Sequence, residues 1–212
     1  MTARSPRPNR VTPLGDVVAV PLRGAWCGNR GILHKGTEVV RFHAGDLWIT
    51  CALSFKDWRL PQWEPGHFTL LFFHDEAVSL AAGHRPCALC RRPAYNSYRE
   101  AVAAMVGSHP PLARELDRAL HAERLYRGTH RRRLHDVPWA DVPDGAFVVH
   151  EGCPALVSSD RLVPWTATGY GAAVPRPGYT TADVITPPTT LAALRGGYQP
   201  QVDPSAAAAD PS

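Results

Sequence analysis

The pair Cys87 and Cys90, in the stretch GHRPCALCRR, is the feature that most constrains how this chain can fold. Two cysteines separated by two residues can hold one tetrahedral metal ion from a single turn. The residues before them predict a short helix over 76–82, with Asp75 as its N-cap and Gly83 just past its C-terminal end. A redox pair is typically found at the start of a helix instead, so this position favours a metal-binding turn. A redox pair and two unliganded thiols remain the alternatives.

The cysteine content fits thiolates that act as ligands or nucleophiles better than a disulfide framework. The chain has five cysteines, an odd number, and its first residues, MTARSPRPNR, lack the apolar stretch of a secretory signal. Hydrophobic residues make up 44% of the chain, which is ordinary for a globular protein. No segment approaches the ~18 consecutive apolar residues of a membrane span. We therefore expect a cytoplasmic protein that does not enter a membrane.

The periodicity of apolar residues predicts an α+β fold class. We expect a small zinc-stabilised unit of short strands and helices, then a helical segment, then a C-terminal β-rich unit. The two ends offer little apolar surface to bury, which predicts disorder. The predicted boundaries are a disordered N-terminus at 1–14, the zinc-binding unit at 15–108, a basic helical segment at 109–136, the β-rich unit at 137–200 and a disordered tail at 201–212.

A structural zinc site needs four ligands, so two must come from outside the Cys87–Cys90 turn. Cys51 lies in DLWITCALSF, which has the aromatic and β-branched content of a buried strand. Cys27 and His34 open and close CGNRGILH, which its glycines predict to be a loop between strands. Thiolate and neutral imidazole both bind zinc well, so all three residues are candidate ligands.

The segment FTLLFFHDEAVSLAAGHRPCALCRR resembles the second half of the zinc-binding domain of the Ada family of DNA alkylation-repair proteins. In both, an aromatic strand, a short Ala-rich helix, AAG, RPC and a second cysteine follow one another, although His84 stands where the family has an aromatic residue. Upstream, WITCALSFKDWR lies roughly where the family has the strand that leads into its first cysteine pair. The resemblance covers about residues 46–92, under a quarter of the chain.

The resemblance implies a zinc ion held by four cysteines, one of which accepts a methyl group from a methyl phosphotriester in the DNA backbone. Position by position, Cys87 and Cys90 match the second pair, and Cys51 matches the methyl acceptor of the first pair. The other member of the first pair falls on Phe55, so the CGNRGILH segment must supply the fourth ligand. The predicted Zn²⁺ ligands are Cys51, Cys87, Cys90 and His34, with Cys27 as the alternative fourth ligand.

Arginines are concentrated around the cysteine pair and between positions 113 and 135. Seven arginines face three acidic residues between positions 113 and 135, although the net charge of the whole chain is only +4. This distribution suits DNA or another phosphate-bearing ligand, and a solvated helix face is the alternative. The predicted nucleic-acid contacts are Arg85, Arg91, Arg92, Arg131, Arg132 and Arg133.

The cysteines and arginines favour a DNA-associated zinc protein, and the resemblance implies that it senses or repairs alkylation damage with Cys51 as the methyl acceptor. Three thiolates and one imidazole carry less negative charge than four thiolates, so such a set would contain weaker nucleophiles and favours a structural or DNA-contacting zinc. Two other classes stay open. One is a zinc-dependent enzyme that acts on a phosphate-containing or nucleic-acid substrate, and the other is a non-enzymatic interaction module stapled by zinc.

Overall fold

The structure, a computed structural model, describes residues 6–59, 61–178 and 180–208. Helices and strands are mixed along the chain, which confirms the predicted α+β class. None of the helices in this part of the chain combines the length and the hydropathy needed to cross a bilayer. The α-helices are α1 (Glu76–Ala81), α2 (Arg92–Val106), α3 (Ala113–Arg124), α4 (Pro188–Arg195) and α5 (Ser205–Ala208).

The N-terminal half forms one mixed sheet and a two-stranded ribbon. The sheet strands are β1 (Arg10–Val11), β2 (Val17–Val18), β3 (Trp26–Asn29), β6 (Ile49–Cys51), β7 (Leu71–Phe73) and β8 (Arg85–Pro86), and the ribbon strands are β4 (His34–Lys35) and β5 (Glu38–Val39). The spatial order of the sheet is β2-β1-β7-β3-β6-β8, with parallel pairing of β1 with β7 and of β6 with β8. Residues 27–29, which their glycine-rich surroundings predict as a loop, therefore form a strand in the interior of the sheet.

The C-terminal half forms an antiparallel sheet that is buried on both faces. Its strands are β9 (His135–Pro138), β10 (Phe147–His150), β11 (Cys153–Ser158), β12 (Arg161–Thr166), β13 (Gly169–Tyr170), β14 (Val174–Pro175) and β15 (Thr181–Val184). Their order is β13-β12-β11-β10-β15-β9, and β14 also pairs with β12. Successive residues of a strand point to opposite faces, and Phe147 and Val148 of β10 indeed belong to two different apolar cores.

These two cores join segments that the sequence predicts to be separate units. On one face of the C-terminal sheet, Phe147 packs in a cluster with Ala77 and Val78 of α1. On the other face, Val148 belongs to a cluster with Tyr98 of α2, Leu116 of α3 and residues of α4. The predicted boundaries after residues 108 and 136 therefore do not separate independent cores, because residues of α1, α2, α3 and α4 share these cores with the C-terminal sheet.

Helix α1 has the predicted capping residues at both of its ends. The Asp75 carboxylate accepts a hydrogen bond from the Val78 N–H at 2.8 Å. After the helix, Gly83 has φ of +88°, and a Cβ there would lie 2.7 Å from Cδ of Arg124. Glycine is required at this position, because other residues are strained at that φ and have no room beside the arginine.

Both predicted disordered ends contain ordered structure where the structure describes them. Val11 of β1 is buried, and β1 pairs with β7. In the tail, the Gln201 N–H donates to Glu76 and the Asp203 N–H donates to Asp75. These residues are ordered, because backbone pairing, two buried carboxylates and burial of Val11 and Ala206 hold them. Residues 1–5 and 209–212 lie outside the described part.

Glu76 is a buried carboxylate that ties the metal-binding turn to the C-terminal segment. Nη2 of Arg91 donates to its Oε1 at 2.7 Å, the Tyr198 hydroxyl donates to the same oxygen, and the Gln201 N–H donates to Oε2 at 3.1 Å. The Arg91 guanidinium also lies 3.8 Å from the centre of the Trp26 ring. Since Arg91 directly follows Cys90, this network fixes the position of the cysteine pair.

We predict that Glu76→Gln lowers the free energy of unfolding by about 3 kcal/mol, because removal of one member of a buried ion pair leaves the other charge uncompensated. Urea denaturation of both proteins measures the difference. Glu100→Gln, on the exposed side of α2, is the matched control and should change stability little. Equal effects of the two substitutions would show that the Glu76 network adds no specific stability.

Candidate metal centre

The Cys87–Cys90 turn lies between strand β8 and helix α2, and backbone hydrogen bonds define its shape. The Cys87 N–H donates to the Thr50 carbonyl at 2.9 Å, which continues the parallel pairing of β8 with β6. The Arg91 N–H donates to the Cys87 carbonyl at 3.1 Å and so closes the turn. Within it, the Leu89 N–H donates to the Cys87 sulfur at 3.4 Å. Such N–H···S contacts stabilise a thiolate, as a metal ligand requires.

Strand β6 brings Cys51 to this turn. The ligand atoms of Cys51, Cys87 and Cys90 all lie within 4.8 Å of one another. Cys87 is buried, and the other two cysteines are half-buried. These three sulfur atoms can hold a metal ion. Three of the sequence-predicted ligands therefore lie together.

Without a metal, the three thiols share their protons unequally. A hydrogen bond from Cys51 lowers the pKa of Cys87 to about 5, and the same hydrogen bond raises the pKa of Cys51. Burial raises the pKa of Cys90. Cys87 is therefore the thiol of the cluster that ionises most readily, and a bound cation would favour ionisation of the other two as well.

Cys27 lies beside this cluster on the neighbouring strand. The antiparallel register of β3 and β6 pairs Cys27 directly with Cys51, so their side chains share one face of the sheet. The Cys27 thiol donates to the Ala52 carbonyl at 3.2 Å. Burial raises its pKa to about 11, and the nearby Cys90 and Cys87 add to that rise. Cys27 is therefore a fourth sulfur close to the cluster but outside the group of three.

The structure places His34 differently from a ligand of this cluster. His34 lies in the β4–β5 ribbon, its Nδ1 is 2.7 Å from the Thr69 hydroxyl, and its ring contacts Trp63 edge-on. No histidine in the described residues joins the three cysteines within ligand distance. In this arrangement the sequence-predicted set of three thiolates and His34 is not assembled.

An apolar cavity of about 150 Å³ opens onto the cysteines. Its walls comprise Cys51, Cys87 and Cys90 together with Asn29, Ile49, Ala52, Leu53, Phe55, Trp58, Phe68 and Leu89. Phe55, which stands where the resemblance expects a cysteine, therefore forms part of an apolar wall. Ile49 and Cys51 line the cavity together because residues two apart on a strand share a face, a signal that the sequence already contains. No comparable local pattern in the sequence predicts that Phe68 and Leu89 line the cavity.

Two of the predicted nucleic-acid contacts lie in the interior. Nε and Nη2 of Arg85 donate to the two carboxylate oxygens of Asp117 at 2.8 and 2.9 Å. Arg91 is paired with Glu76, as described above. Both arginines are buried, so they have no free surface to offer a phosphate. The structure therefore corrects the prediction that Arg85 and Arg91 contact nucleic acid, because both guanidinium groups pair with carboxylates inside the protein.

The remaining predicted contacts divide between structural and exposed positions. Arg132 donates to backbone carbonyls at the end of α1 and just after β15, so its guanidinium is also an internal cross-link. Arg133 is half-buried and donates to the Ala122 carbonyl at 2.8 Å. Arg92 and Arg131 are exposed. Those two side chains are therefore the ones free to meet an external phosphate.

Comparison with protein-family models, with curated proteins and with solved structures finds no match to this chain.

We predict that the purified chain contains one metal ion and that Cys87→Ser or Cys90→Ser removes it, because each substitution takes away one of the three clustered sulfurs. Elemental mass spectrometry of the protein after desalting measures the metal content. Cys153→Ser is the control, since Cys153 is exposed at the start of β11 in the other sheet. Full metal retention by Cys87→Ser would contradict the assignment.

Proposed function

We propose that this chain is a zinc-binding protein whose ligands are Cys51, Cys87, Cys90 and Cys27. The observation that carries the proposal is the approach of the first three ligand atoms to within 4.8 Å of one another. Sulfur donors are soft and select zinc over magnesium or calcium, which prefer oxygen. Closed sites of four thiolates are typical of structural zinc.

The sheet register favours Cys27 over His34 as the fourth ligand. Cys27 lies opposite Cys51 on the adjacent strand, and the nearby Cys90 and Cys87 help to raise its pKa. Under this proposal the Cys27 side chain turns from the Ala52 carbonyl toward the other three sulfurs when zinc binds. The proposed set then contains four thiolates, as in the Ada family, although the fourth thiolate comes from a different position in the chain.

We propose further that the site acts on alkylated DNA, with Cys51 as the acceptor of a methyl group. Bound zinc keeps its thiolates ionised and electron-rich at neutral pH. Cys27 is 1% exposed and cannot meet a substrate, and the Leu89 N–H reduces the electron density on Cys87. Cys51 is half-buried and lines the apolar cavity. Cys90 is also half-buried and lines the same cavity, so the choice of Cys51 between these two rests on the resemblance to the Ada family.

The reaction that we propose balances without any further reagent. The Cys51 sulfur attacks the methyl carbon of a methyl phosphotriester, an S–C bond forms and the C–O bond breaks with its electron pair remaining on oxygen. The products are S-methylcysteine and an ordinary phosphodiester. The apolar walls beside Cys51 suit a methyl group, and the exposed Arg92, two residues from Cys90, supplies positive charge for the neighbouring phosphates.

Incubation of the zinc-loaded protein with DNA that carries methyl phosphotriesters tests this reaction. We expect the peptide that contains Cys51 to gain the mass of one methylene unit, which peptide mass spectrometry detects. Cys51→Ser should abolish the transfer, whereas Cys153→Ser should leave it unchanged. A zinc-loaded protein that gains no methyl group, or gains it on another cysteine, would contradict the assignment of Cys51.

A zinc-dependent enzyme is the second candidate, because three sulfur ligands and an adjacent cavity also fit an open site with a water as the fourth ligand. Comparison of Cys27→Ser with His34→Ala separates the two candidates. Under our proposal Cys27→Ser weakens zinc affinity by roughly tenfold or more, since it removes one of four ligands, while His34→Ala leaves the affinity unchanged. A chelator competition assay measures both affinities. Unchanged affinity in Cys27→Ser would favour the open enzyme site.

A further inference from the structure

A second cavity, of about 640 Å³, lies away from the cysteine cluster. Its walls come from three segments: the chain just before β6, the second half of α3 and the loop that follows α3. They comprise His43, Asp46, Arg118, His121, Ala122, Leu125, Tyr126, Arg127, Gly128, Thr129, His130 and Arg133. We refer to this cavity as the histidine pocket.

The histidine pocket carries a large excess of basic groups. Arg118, Arg127 and Arg133 are three permanent positive charges in its walls, and three histidines add to them, against Asp46 as the acidic lining residue. The two nearest pairs of histidine rings, His43 with His121 and His43 with His130, have centroids 5.1 and 5.7 Å apart. So many basic groups around one concavity create a positive potential that a bound anion would offset.

The hydrogen-bonding state of His121 suits an anionic ligand. Nη2 of Arg124 lies 3.0 Å from Nδ1 of His121, and an arginine can only donate, so Nδ1 is the acceptor. The proton of the neutral ring is therefore on Nε2, which remains a donor. Burial, reinforced by the neighbouring cations, lowers the pKa of His43 and of His121. The nearby cations therefore outweigh the effect of Asp46, which raises the pKa of His121.

A metal ion fits this pocket poorly. The permanent charges in its walls repel a cation. Within the described residues, the histidine nitrogens do not approach one another closely enough to form a three-ligand group, whereas the three cysteines do. The positive charge and the donor groups instead match an oxyanion, and planar guanidinium groups bind phosphate oxygens with particular strength.

Hydrogen bonds hold the backbone around the pocket in place. The Thr129 N–H and hydroxyl both donate to the Tyr126 carbonyl, at 3.0 and 2.8 Å, and the Tyr126 N–H donates to the Arg131 carbonyl. On the opposite side, Arg124 lies 3.8 Å from the centre of the Trp48 ring and donates to the Asp46 carbonyl. Preorganisation of this kind raises affinity because little conformational entropy is lost on binding.

We propose that the histidine pocket binds a phosphate group, carried either by a small molecule such as a nucleotide or by the backbone of a nucleic acid. Arg118 and Arg127 contribute guanidinium donors from two walls, and the Nε2–H of His121 contributes a third donor. This site goes beyond the proposed zinc function and does not depend on it, since none of its lining residues belongs to the cysteine cluster.

Isothermal titration calorimetry with three ligands tests the proposal and identifies the source of the phosphate. The ligands are inorganic phosphate, a nucleoside monophosphate and a short single-stranded oligonucleotide, titrated at one constant ionic strength set with chloride. We expect saturable binding of at least one ligand by the full chain. Tighter binding of inorganic phosphate or the nucleoside monophosphate indicates a small-molecule ligand. Tighter binding of the oligonucleotide indicates a nucleic acid.

Matched variants show whether the binding belongs to the pocket. Arg118→Ala and Arg127→Ala should each weaken binding by roughly tenfold or more, because each removes a charged hydrogen-bond donor. Arg114→Ala removes the same charge from an exposed position of α3 outside the pocket and should have little effect. Absence of binding by all three ligands would overturn the proposal, and so would an equal loss in Arg114→Ala. We expect Cys51→Ser to bind phosphate with unchanged affinity. Failure of the zinc proposal can therefore be distinguished from failure of the phosphate proposal.

Discussion

The register of three neighbouring strands is the constraint on which the candidate metal centre depends. Pairing of β3 with β6 sets Cys27 opposite Cys51, and pairing of β6 with β8 delivers Cys87 one residue past the last strand pair. Because side chains alternate between faces, a slip of one residue would move a cysteine to the opposite face of the sheet. Such a slip is opposed by Trp48, which is buried next to β6.

Arginine side chains hold the N-terminal sheet, the helices and the C-terminal segment together from within. Arg30 and Arg124 both stack on Trp48, with guanidinium carbons 3.9 and 3.8 Å from the ring centre. Arg124 also donates to the Gly83 carbonyl, and Arg132 donates to carbonyls at the end of α1. A guanidinium has five donors, so it can satisfy several carbonyls that helix and strand ends leave without partners. The basic composition of the chain therefore does not translate into an equally basic surface.

What the sequence predicts correctly is mostly local. Asp75 and Gly83 identify the ends of α1, since capping depends on residues within one turn, and the spacing of Cys87 and Cys90 places two sulfurs in one turn. Cys27 lies near the other cysteines because β3 pairs with β6. The glycines around Cys27 predict a loop, so the sequence does not indicate this strand. The order of the tail depends likewise on partners far away, since the Gln201 N–H finds its acceptor on Glu76. Contacts between residues that are far apart in the sequence produce no periodic pattern from which they could be predicted.

One short stretch of chain connects the cysteine cavity with the histidine pocket. Asp46 lines the histidine pocket, Cys51 lines the cysteine cavity, and Trp48 is buried between them. Five residues, even fully extended, span at most about 18 Å. A nucleic-acid strand advances about 3.4 Å per nucleotide in a duplex, so about five nucleotides cover that distance. A nucleic-acid strand is therefore long enough to span that distance, whereas a small phosphate ligand would occupy the histidine pocket alone.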